Sequence, residues 1–249
     1  MDDAGLRDRL WRGFAELQKL LGGRAAGGAI LEREGVVASF VPSAPDSPTL
    51  NAVIALQREL DADVLQRMGE RYDEIGIRRW GVWADGSYER VLDTLRRAGL
   101  QTSSSSPGMA AAIDELSLNG RAPAGPADLA TVGRVNDLAY GNPDHRLERT
   151  LAPLPPGALR AYRADHDGEP ASVALALHHD GDCGISFVAT APHARRHGLA
   201  TDVMQRVAVD ARDAGCTTTT LQATELGEKL YTALGYRTVS DMQLWERRA

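Results

Sequence analysis

The stretch VATAPHARRHGLAT, residues 188–201, decides how the second half of this 249-residue chain folds. β-Forming residues lead into it from Cys183, Pro192 then interrupts the strand, and an amphipathic helix is predicted over residues 199–214. A helix start has unpaired backbone N–H groups and a partial positive charge, and here both fall on the loop R-x-x-G-x-A. Because a diphosphate satisfies both, the stretch predicts a loop that binds a phosphorylated ligand.

The side chains of this loop suit an anion. Gly198 and Ala200 let a ligand approach the backbone, and Arg195, Arg196 and His197 add positive charge in a chain whose net charge is −6. The sequence contains neither G-x-x-x-x-G-K-S/T nor a G-x-G-x-x-G that opens a helix after a strand, so other phosphate motifs fit less well. The motif R-x-x-G-x-A alone is weak evidence, since a basic turn entering a helix has the same pattern.

Composition excludes several classes of protein. Hydrophobic residues make up 43% of the chain and charged residues 25%, as is usual in a globular protein. The net charge of −6 disfavours nucleic-acid partners, and no apolar run reaches the roughly 18 residues that a membrane span needs. The two cysteines, Cys183 and Cys216, supply neither a disulfide framework nor a zinc cluster, and the acidic N-terminus lacks the basic start of a signal peptide. We therefore expect a cytoplasmic protein that binds no metal, nucleic acid or membrane.

Secondary-structure patterns predict an α/β chain with a mixed sheet, in which one unit occurs twice. Helix, Gly76, strand, helix, Gly99 and strand in the first half match helix, Gly215, strand, helix, Gly235 and strand in the second. Such a repeat indicates two related domains. Generic α/β patterning that coincides by chance is the alternative.

A linker is predicted at residues 117–126, which contain two glycines and two prolines without an apolar pattern. It separates an N-terminal domain, residues 1–116, from a C-terminal domain, residues 127–249. Within the first domain, residues 51–60 are predicted as a strand, a helix or both, and residues 103–107 as a loop or an edge.

A second motif, Leu230-Tyr231-x-x-Leu234-Gly235-Tyr236, closes the helix predicted over residues 225–234. Together with residues 188–201, it makes this region resemble the GNAT superfamily of N-acetyltransferases. The first stretch is similar to the family's acetyl-CoA motif and the second to its other signature. The resemblance covers residues 185–236 directly, and the order of strands and helices extends it back to about Ala127.

The resemblance implies the GNAT acyl-CoA N-acyltransferase fold, acetyl-CoA as cosubstrate and a role for each matched position. Backbone groups at the end of the strand would pair with the pantetheine arm, and the loop would wrap the pyrophosphate. Tyr231 matches the family tyrosine that protonates the departing CoA thiolate; a phenol whose pKa is about 10 stays protonated at pH 7. A core aromatic on a helix face is the alternative for Tyr231. The cofactor-binding residues implied in this way are Val188, Ala189, Thr190, Arg195, Arg196, His197, Gly198, Leu199, Ala200, Thr201 and Thr224.

Two positions depart from the family pattern. Thr224 stands where the family often has an asparagine, and Gly184 stands where many members carry a glutamate that activates the amine through water. The base is therefore unassigned. Asp182, His178 and His179 are nearby in sequence, but they are predicted to be surface residues at a turn. A terminal carboxylate or bulk water is the alternative proton acceptor.

The first copy of the repeat, residues 62–116, resembles the second half of a GNAT domain, but residues 46–53 before it contain no R-x-x-G-x-A. We therefore predict a tandem protein whose degenerate N-terminal domain no longer binds CoA. The predicted activity is transfer of an acetyl group from acetyl-CoA to a primary amine on a small molecule or peptide. The alternative is a non-catalytic module that senses acyl-CoA, which the missing glutamate favours and Tyr231 opposes. The acceptor is not identified by the sequence, and a homodimer is left open.

Overall fold

Residues 1–33, 35–118 and 123–247 are described by a computed structural model. The elements of the first half are, in chain order, α1 (Asp3–Arg24), β1 (Ala29–Arg33), β2 (Val36–Phe40), β3 (Ala52–Ala55), α2 (Ala62–Glu74), β4 (Gly81–Asp85), α3 (Glu89–Arg97) and β5 (Leu100–Ala112). Those of the second half are β6 (Gly125–Pro126), α4 (Leu129–Tyr140), α5 (Arg146–Leu151), β7 (Arg160–His166), β8 (Glu169–His179), β9 (Asp182–Thr190), α6 (Leu199–Asp213), β10 (Thr218–Gln222), α7 (Glu225–Leu234) and β11 (Arg237–Arg247).

The chain divides into two compact units, each with its own hydrophobic core. Unit 1 consists of Met1–Gly13 and Met109–Arg237, and unit 2 consists of Phe14–Gly108 and Thr238–Ala249. Both units are therefore discontinuous in sequence. No helix in the described part of the chain is long and apolar enough to cross a membrane.

The sheet of unit 1 is mixed because its connections differ. Strands β6, β7, β8 and β9 pair antiparallel in that order, and β10 pairs parallel to β9. The hairpins turn at Asp167-Gly168 and at Asp180-Gly181, where all four residues have positive φ, as tight two-residue turns between twisted strands require. Between β9 and β10 the helix α6 returns the chain to the starting end of the sheet, which a parallel pair needs.

A short helix that the sequence patterns missed, α5, packs closely on α4 in unit 1. A Cβ at Gly133 of α4 would lie 2.4 Å from Cα of Glu148, so the two helices touch where a side chain is missing. Buried Asp137 accepts hydrogen bonds from the backbone N–H groups of Leu147 (3.0 Å) and Glu148 (3.1 Å). Six residues are too few to show a helical period, so the spacing of apolar residues does not reveal α5.

The strands of unit 2 surround an aromatic core. Strands β1, β2 and β3 pair antiparallel, β3 pairs parallel to β4, and β4 pairs antiparallel to β11. Tyr72 lies between Phe40 and Trp80, with ring centroids 4.7 Å and 4.9 Å away, and its hydroxyl donates to the Ser39 carbonyl at 3.0 Å.

The last strand of the chain explains why unit 2 is discontinuous, since β11 pairs with β4. Unit 1 is discontinuous because it includes Met1–Gly13 together with Met109–Arg237. The predicted domains, 1–116 and 127–249, follow the chain continuously. The proposed repeat and its domain boundaries stay a prediction. Residues 119–122 of the predicted linker lie outside the described residues.

Two further predictions in unit 2 are resolved by the structure. The ambiguous residues 51–60 contain the strand β3 and no helix among the described residues. Residues 103–107, predicted as a loop or an edge, lie inside β5, so the loop alternative is wrong. Their polar composition fits an exposed strand whose hydroxyls bond to β11: Ser103 donates to the Leu244 carbonyl at 3.2 Å, and Ser105 donates to Asp241.

Candidate active site

Strand β9 contains a β-bulge shortly before the predicted loop. Leu175 of β8 pairs with Ser186, but Val173 pairs with Ala189, so β9 has one extra residue between these pairs. Phe187 takes a φ of 53°, a left-handed conformation that is uncommon for a residue with a side chain. A bulge takes peptide groups out of the strand ladder and is frequent next to active sites. The backbone around Phe187 is therefore open to a ligand.

Of the three strand residues predicted to bind the cofactor, only one lies in the bulge. Val188 follows Phe187 there and is half-buried against the core of unit 1. Ala189 and Thr190 have already returned to the ladder, opposite Val173 and Ser172. The hydroxyls of Thr190 and Ser172 are 2.9 Å apart.

The loop before α6 has a backbone suited to an anion. Arg196 and Gly198 are both left-handed, with φ of 67° and 81°, and Gly198 precedes the helix without a side-chain hydrogen bond to cap it. The first turn closes with the Asp202 N–H on the Gly198 carbonyl at 3.1 Å. The N–H groups of Leu199, Ala200 and Thr201 come before that bond and have no acceptor within the helix. Three donors and the positive helix end thus meet at one place.

The basic side chains of the loop differ in what they contact. Arg195 donates to the carbonyls of Thr190 (3.3 Å) and Ala139 (3.0 Å), so it ties the loop to the end of α4. Arg196 and His197 are exposed, and the His197 ring lies 4.4 Å from that of His166. Two of the three predicted cations are thus free to face a ligand, while the backbone contacts of Arg195 indicate that it shapes the loop.

Tyr231 lies on α7 with its ring inside the core of unit 1. Only 6% of its surface is exposed, and its ring meets that of Tyr236 edge-on at 6.0 Å. A Cβ at Gly227, one turn earlier, would come within 2.8 Å of Cε2 of Tyr231, so the ring occupies the space above that glycine. Burial, together with the nearby phenol of Tyr140, raises the pKa of Tyr231 far above its usual range. The phenol is therefore protonated at neutral pH and able to donate.

The start of α7 and a neighbouring pocket complete this region. The Thr224 hydroxyl accepts from the Gly227 N–H at 3.2 Å, so this residue caps the helix. A pocket of about 320 Å³ lies between α6 and α7. It is lined by Ser117, Thr201, Asp202, Gln205, Leu230, Ala233 and Leu234. Among the predicted residues, Thr201 opens onto this pocket, which can hold part of a ligand bound at the loop.

The family model of the acetyltransferase (GNAT) family matches residues 135–236, which include the bulge, the loop and Tyr231. The second half of the chain carries a GNAT acetyltransferase domain. This confirms the family resemblance of the two motifs. No curated protein matches the chain by sequence.

Solved GNAT structures share the fold of nearly the whole chain. A GCN5-related N-acetyltransferase from Kribbella flavida aligns over 96% of this chain and 95% of its own, with a TM-score of 0.71 and 17% identity. A tandem GNAT protein from the clavulanic acid biosynthesis pathway aligns over 94% and 86%, with a TM-score of 0.61 and 12% identity. A GCN5-related N-acetyltransferase from Sphaerobacter thermophilus aligns over 87% and 81%, at 0.59 and 15%. At these identities the likeness establishes the fold alone, and it confirms the predicted α/β GNAT fold.

One prediction about the GNAT domain is wrong: Asp182 is not a surface residue. It begins β9 after the Asp180-Gly181 turn, its side chain faces inward, and it is only 2% exposed. Its carboxylate accepts from the hydroxyls of Thr218 (2.7 Å) and Thr220 (2.6 Å) on β10. This burial is not predictable from local sequence, because the residues that cover Asp182 are distant along the chain. In the described ranges, no group of three or more His, Cys, Asp or Glu side chains is placed to hold a metal ion.

Proposed function

We propose that the GNAT domain transfers the acetyl group of acetyl-CoA to a primary amine on a small molecule or peptide. The observation that carries the proposal is the start of α6, where Gly198 leaves the helix uncapped just after the bulge of β9. Free N–H donors and a helix dipole favour a diphosphate there. A Cβ at Gly198 would meet nothing within 4 Å, so the backbone is open to a ligand.

The described residues suit each part of the donor. The N–H groups of residues 199–201 would hold the pyrophosphate, with Arg196 and His197 adding charge. The backbone of the bulge at Phe187 would pair with the pantetheine arm and bring the thioester to the end of β9. Aligning thioester and amine in this way supplies a large part of the rate.

The chemistry follows from the groups around the bulge and α7. The amine nitrogen bonds to the thioester carbonyl carbon, and backbone N–H groups at the bulge stabilise the oxyanion. The C–S bond then breaks, and the Tyr231 hydroxyl gives its proton to the sulfur. The proton that the former amine nitrogen must release restores the Tyr231 phenol, so the products are the amide and the free CoA thiol. Burial raises the pKa of Tyr231, so the phenol carries its proton at pH 7.

The counterpart of α6 in the sequence repeat supports a single donor site. Helix α2 in unit 2 is capped by Asp61, whose carboxylate accepts from the Asp63 N–H at 2.8 Å. A carboxylate at that helix start occupies a donor and repels a phosphate. We therefore propose that the N-terminal half binds no CoA.

Replacing Tyr231 with Phe tests the catalytic proposal. Loss of a general acid costs at least about 100-fold in kcat, whereas acetyl-CoA affinity, measured by calorimetry, stays unchanged because the ring remains. Tyr236→Phe is the matched control, since it removes a buried hydroxyl, bonded to Thr219 at 3.0 Å, from the end of the same helix. Thiol release with a panel of tryptamine, spermidine, kanamycin and a lysine-containing peptide reports turnover.

A second function, sensing of acyl-CoA without catalysis, is favoured by Gly184, which supplies no carboxylate at the position where many family members have one. Binding of acetyl-CoA without thiol release for any amine of the panel would support sensing. Equal turnover by wild type and Tyr231→Phe would remove Tyr231 from the mechanism.

A further inference from the structure

Asp182 belongs to a buried polar network on the face of β9 that is turned away from α6. The neighbours Cys183 and Ile185 point into the core that contains α6, so Asp182, Gly184 and Ser186 line the opposite face. On β10, Thr218 and Thr220 stand beside Asp182 and Gly184 in the parallel register. Exposure rises along this row: Asp182 is buried, and Gly184 and Ser186 are half-buried. The row therefore runs from a buried carboxylate towards the bulge at Phe187.

Two glycines leave room around the hydroxyl of Thr220. A Cβ at Gly184 would lie 3.9 Å from Oγ1 of Thr220, and a Cβ at Gly13 of α1 would lie at the same 3.9 Å. The Thr220 hydroxyl donates its proton to Oδ2 of Asp182 at 2.6 Å, which leaves its lone pairs facing this space. A water molecule on the Gly184 side can thus donate to Thr220.

The charged and titratable groups around Asp182 leave it without a direct ion pair in the described chain. Arg9 of α1 donates to Thr218 Oγ1 (2.7 Å) and to the Gly181 carbonyl (3.1 Å) and makes no direct hydrogen bond to Asp182. From β8, His179 is turned to Asp180, with Nε2 and Oδ2 3.1 Å apart. The Cys216 thiol donates to the backbone carbonyl of Asp182 at 3.6 Å. The phenol of Tyr236 interacts with the carboxylate only at a distance.

This environment makes Asp182 a better proton acceptor than a surface carboxylate. Burial raises the pKa of Asp182, while the hydrogen bonds from Thr218 and Thr220 and the charge of Arg9 lower it in part. A base is most effective when its pKa approaches the working pH. A buried carboxylate without an ion pair is costly to stability, so a purely structural role gives no reason to keep it.

We propose that Asp182 is the proton acceptor of the transfer reaction and that it acts through Thr220. A proton from the bound ammonium passes to a water on the Gly184 side, that water gives a proton to Thr220 Oγ1, and the Thr220 proton moves to Asp182 Oδ2. One proton leaves the nitrogen and one arrives on the carboxylate, so the products are a free amine and a neutral Asp182. The inference rests on the proposed acetyltransferase function.

The two threonines provide a matched pair of variants. Both are buried and both donate to the Asp182 carboxylate, but only Thr220 stands beside Gly184. We expect Thr220→Val to lower kcat/KM at pH 7 by about 100-fold, as loss of general-base catalysis does. Thr220→Ser, which keeps the hydroxyl, restores activity. Thr218→Val removes a hydrogen bond that lowers the pKa of Asp182 but leaves the path through Thr220 in place, so it loses less kcat/KM at pH 7 than Thr220→Val.

Asp182→Asn and a rescue variant separate proton transfer from support of the fold. Without the acceptor, kcat/KM follows the fraction of free amine and rises about tenfold per pH unit towards the amine's own pKa of about 10. The wild type is flat over the same range. The double variant Asp182→Asn, Gly184→Glu restores a carboxylate two residues along the same face of β9. A Cβ at position 184 meets no atom closer than 3.7 Å, so there is room for the side chain. We expect this variant to have a flat pH profile of kcat/KM again.

The experiment measures kcat/KM against pH for these variants with acetyl-CoA and the amine of the panel that turns over fastest. Equal losses and unchanged slopes for Thr218→Val and Thr220→Val would overturn the relay and leave a structural network. A flat profile for Asp182→Asn would do the same while acetyl transfer stands. If the wild type binds acetyl-CoA and acetylates no amine, the proposed function fails and the relay fails with it.

Discussion

Gly227 sets the position of the Tyr231 ring, and Gly227→Ala measures how much that position matters. A Cβ there would be 2.8 Å from Cε2 and 3.3 Å from Cζ of Tyr231. Carbon atoms attract each other at about 3.5–4.0 Å, so the ring must move by roughly 1 Å. The ring is buried against Tyr236 and cannot swing away freely.

The expected losses follow from this displacement. A misplacement of about 1 Å costs on the order of 100-fold in rate. For stability, overpacking costs about 1–3 kcal/mol, and the gain of Ala over Gly in a helix, about 1 kcal/mol, offsets part of it. We therefore expect the free energy of unfolding to fall by about 0–2 kcal/mol.

The assay is thiol release for activity and urea denaturation for stability, in a cycle with Tyr231→Ala. Once the ring is absent, Gly227→Ala retains only the helix-propensity term and stabilises the chain. If Gly227→Ala has the same effect on stability with and without the ring, or leaves kcat unchanged in the wild type, the ring does not depend on Gly227 and the reasoning is refuted.

Two further predictions concern buried carboxylates. Asp137→Ala leaves the N–H groups of Leu147 and Glu148 without their acceptor and lowers the free energy of unfolding by about 1–3 kcal/mol in urea titrations; an unchanged midpoint would show that α5 does not need this cap. Because the pKa of Asp182 is raised in the folded chain, the folded chain holds this proton more tightly than the unfolded chain. The free energy of unfolding relative to Asp182→Asn therefore falls as pH rises above the ordinary aspartate pKa of about 3.9, and it levels off above the folded pKa. A difference between the two that grows in the opposite direction would contradict the burial of an ionisable group.

The parts of the site that could be predicted from sequence are those made by neighbouring residues. A helix start at Gly198 follows from local turn chemistry and the apolar period after it, and the helix of Tyr231 was placed correctly for the same reason. The bulge at Phe187 was not predictable, because it exists only as a change of register against β8. The positive φ at Phe187 could not be predicted either, because the residue is neither a glycine nor an asparagine.

The burial of Asp182 and the pairing of β11 with β4 both depend on partners far along the chain. Arg9 and Gly13, which cover the network, are more than 160 residues from Asp182, and next to a predicted hairpin an aspartate is usually solvated. The pairing of β11 with β4 likewise brings together strands that are far apart in the sequence. Which strands pair depends on the packing of each unit as a whole, and this cannot be predicted from composition and periodicity.

The direct test of the central claim is calorimetric titration of acetyl-CoA into the wild type, Gly198→Asp and Gly215→Asp. Asp tolerates a left-handed conformation better than most residues, so Gly198→Asp puts a negative charge at the start of α6, where it repels a phosphate. Gly215 is the matched control, since it too has a positive φ and nothing within 4 Å of a Cβ. We predict one site per chain for the wild type and for Gly215→Asp, and loss of binding for Gly198→Asp. Unchanged affinity in Gly198→Asp, or two equivalent sites in the wild type, would contradict the placement of the donor at α6.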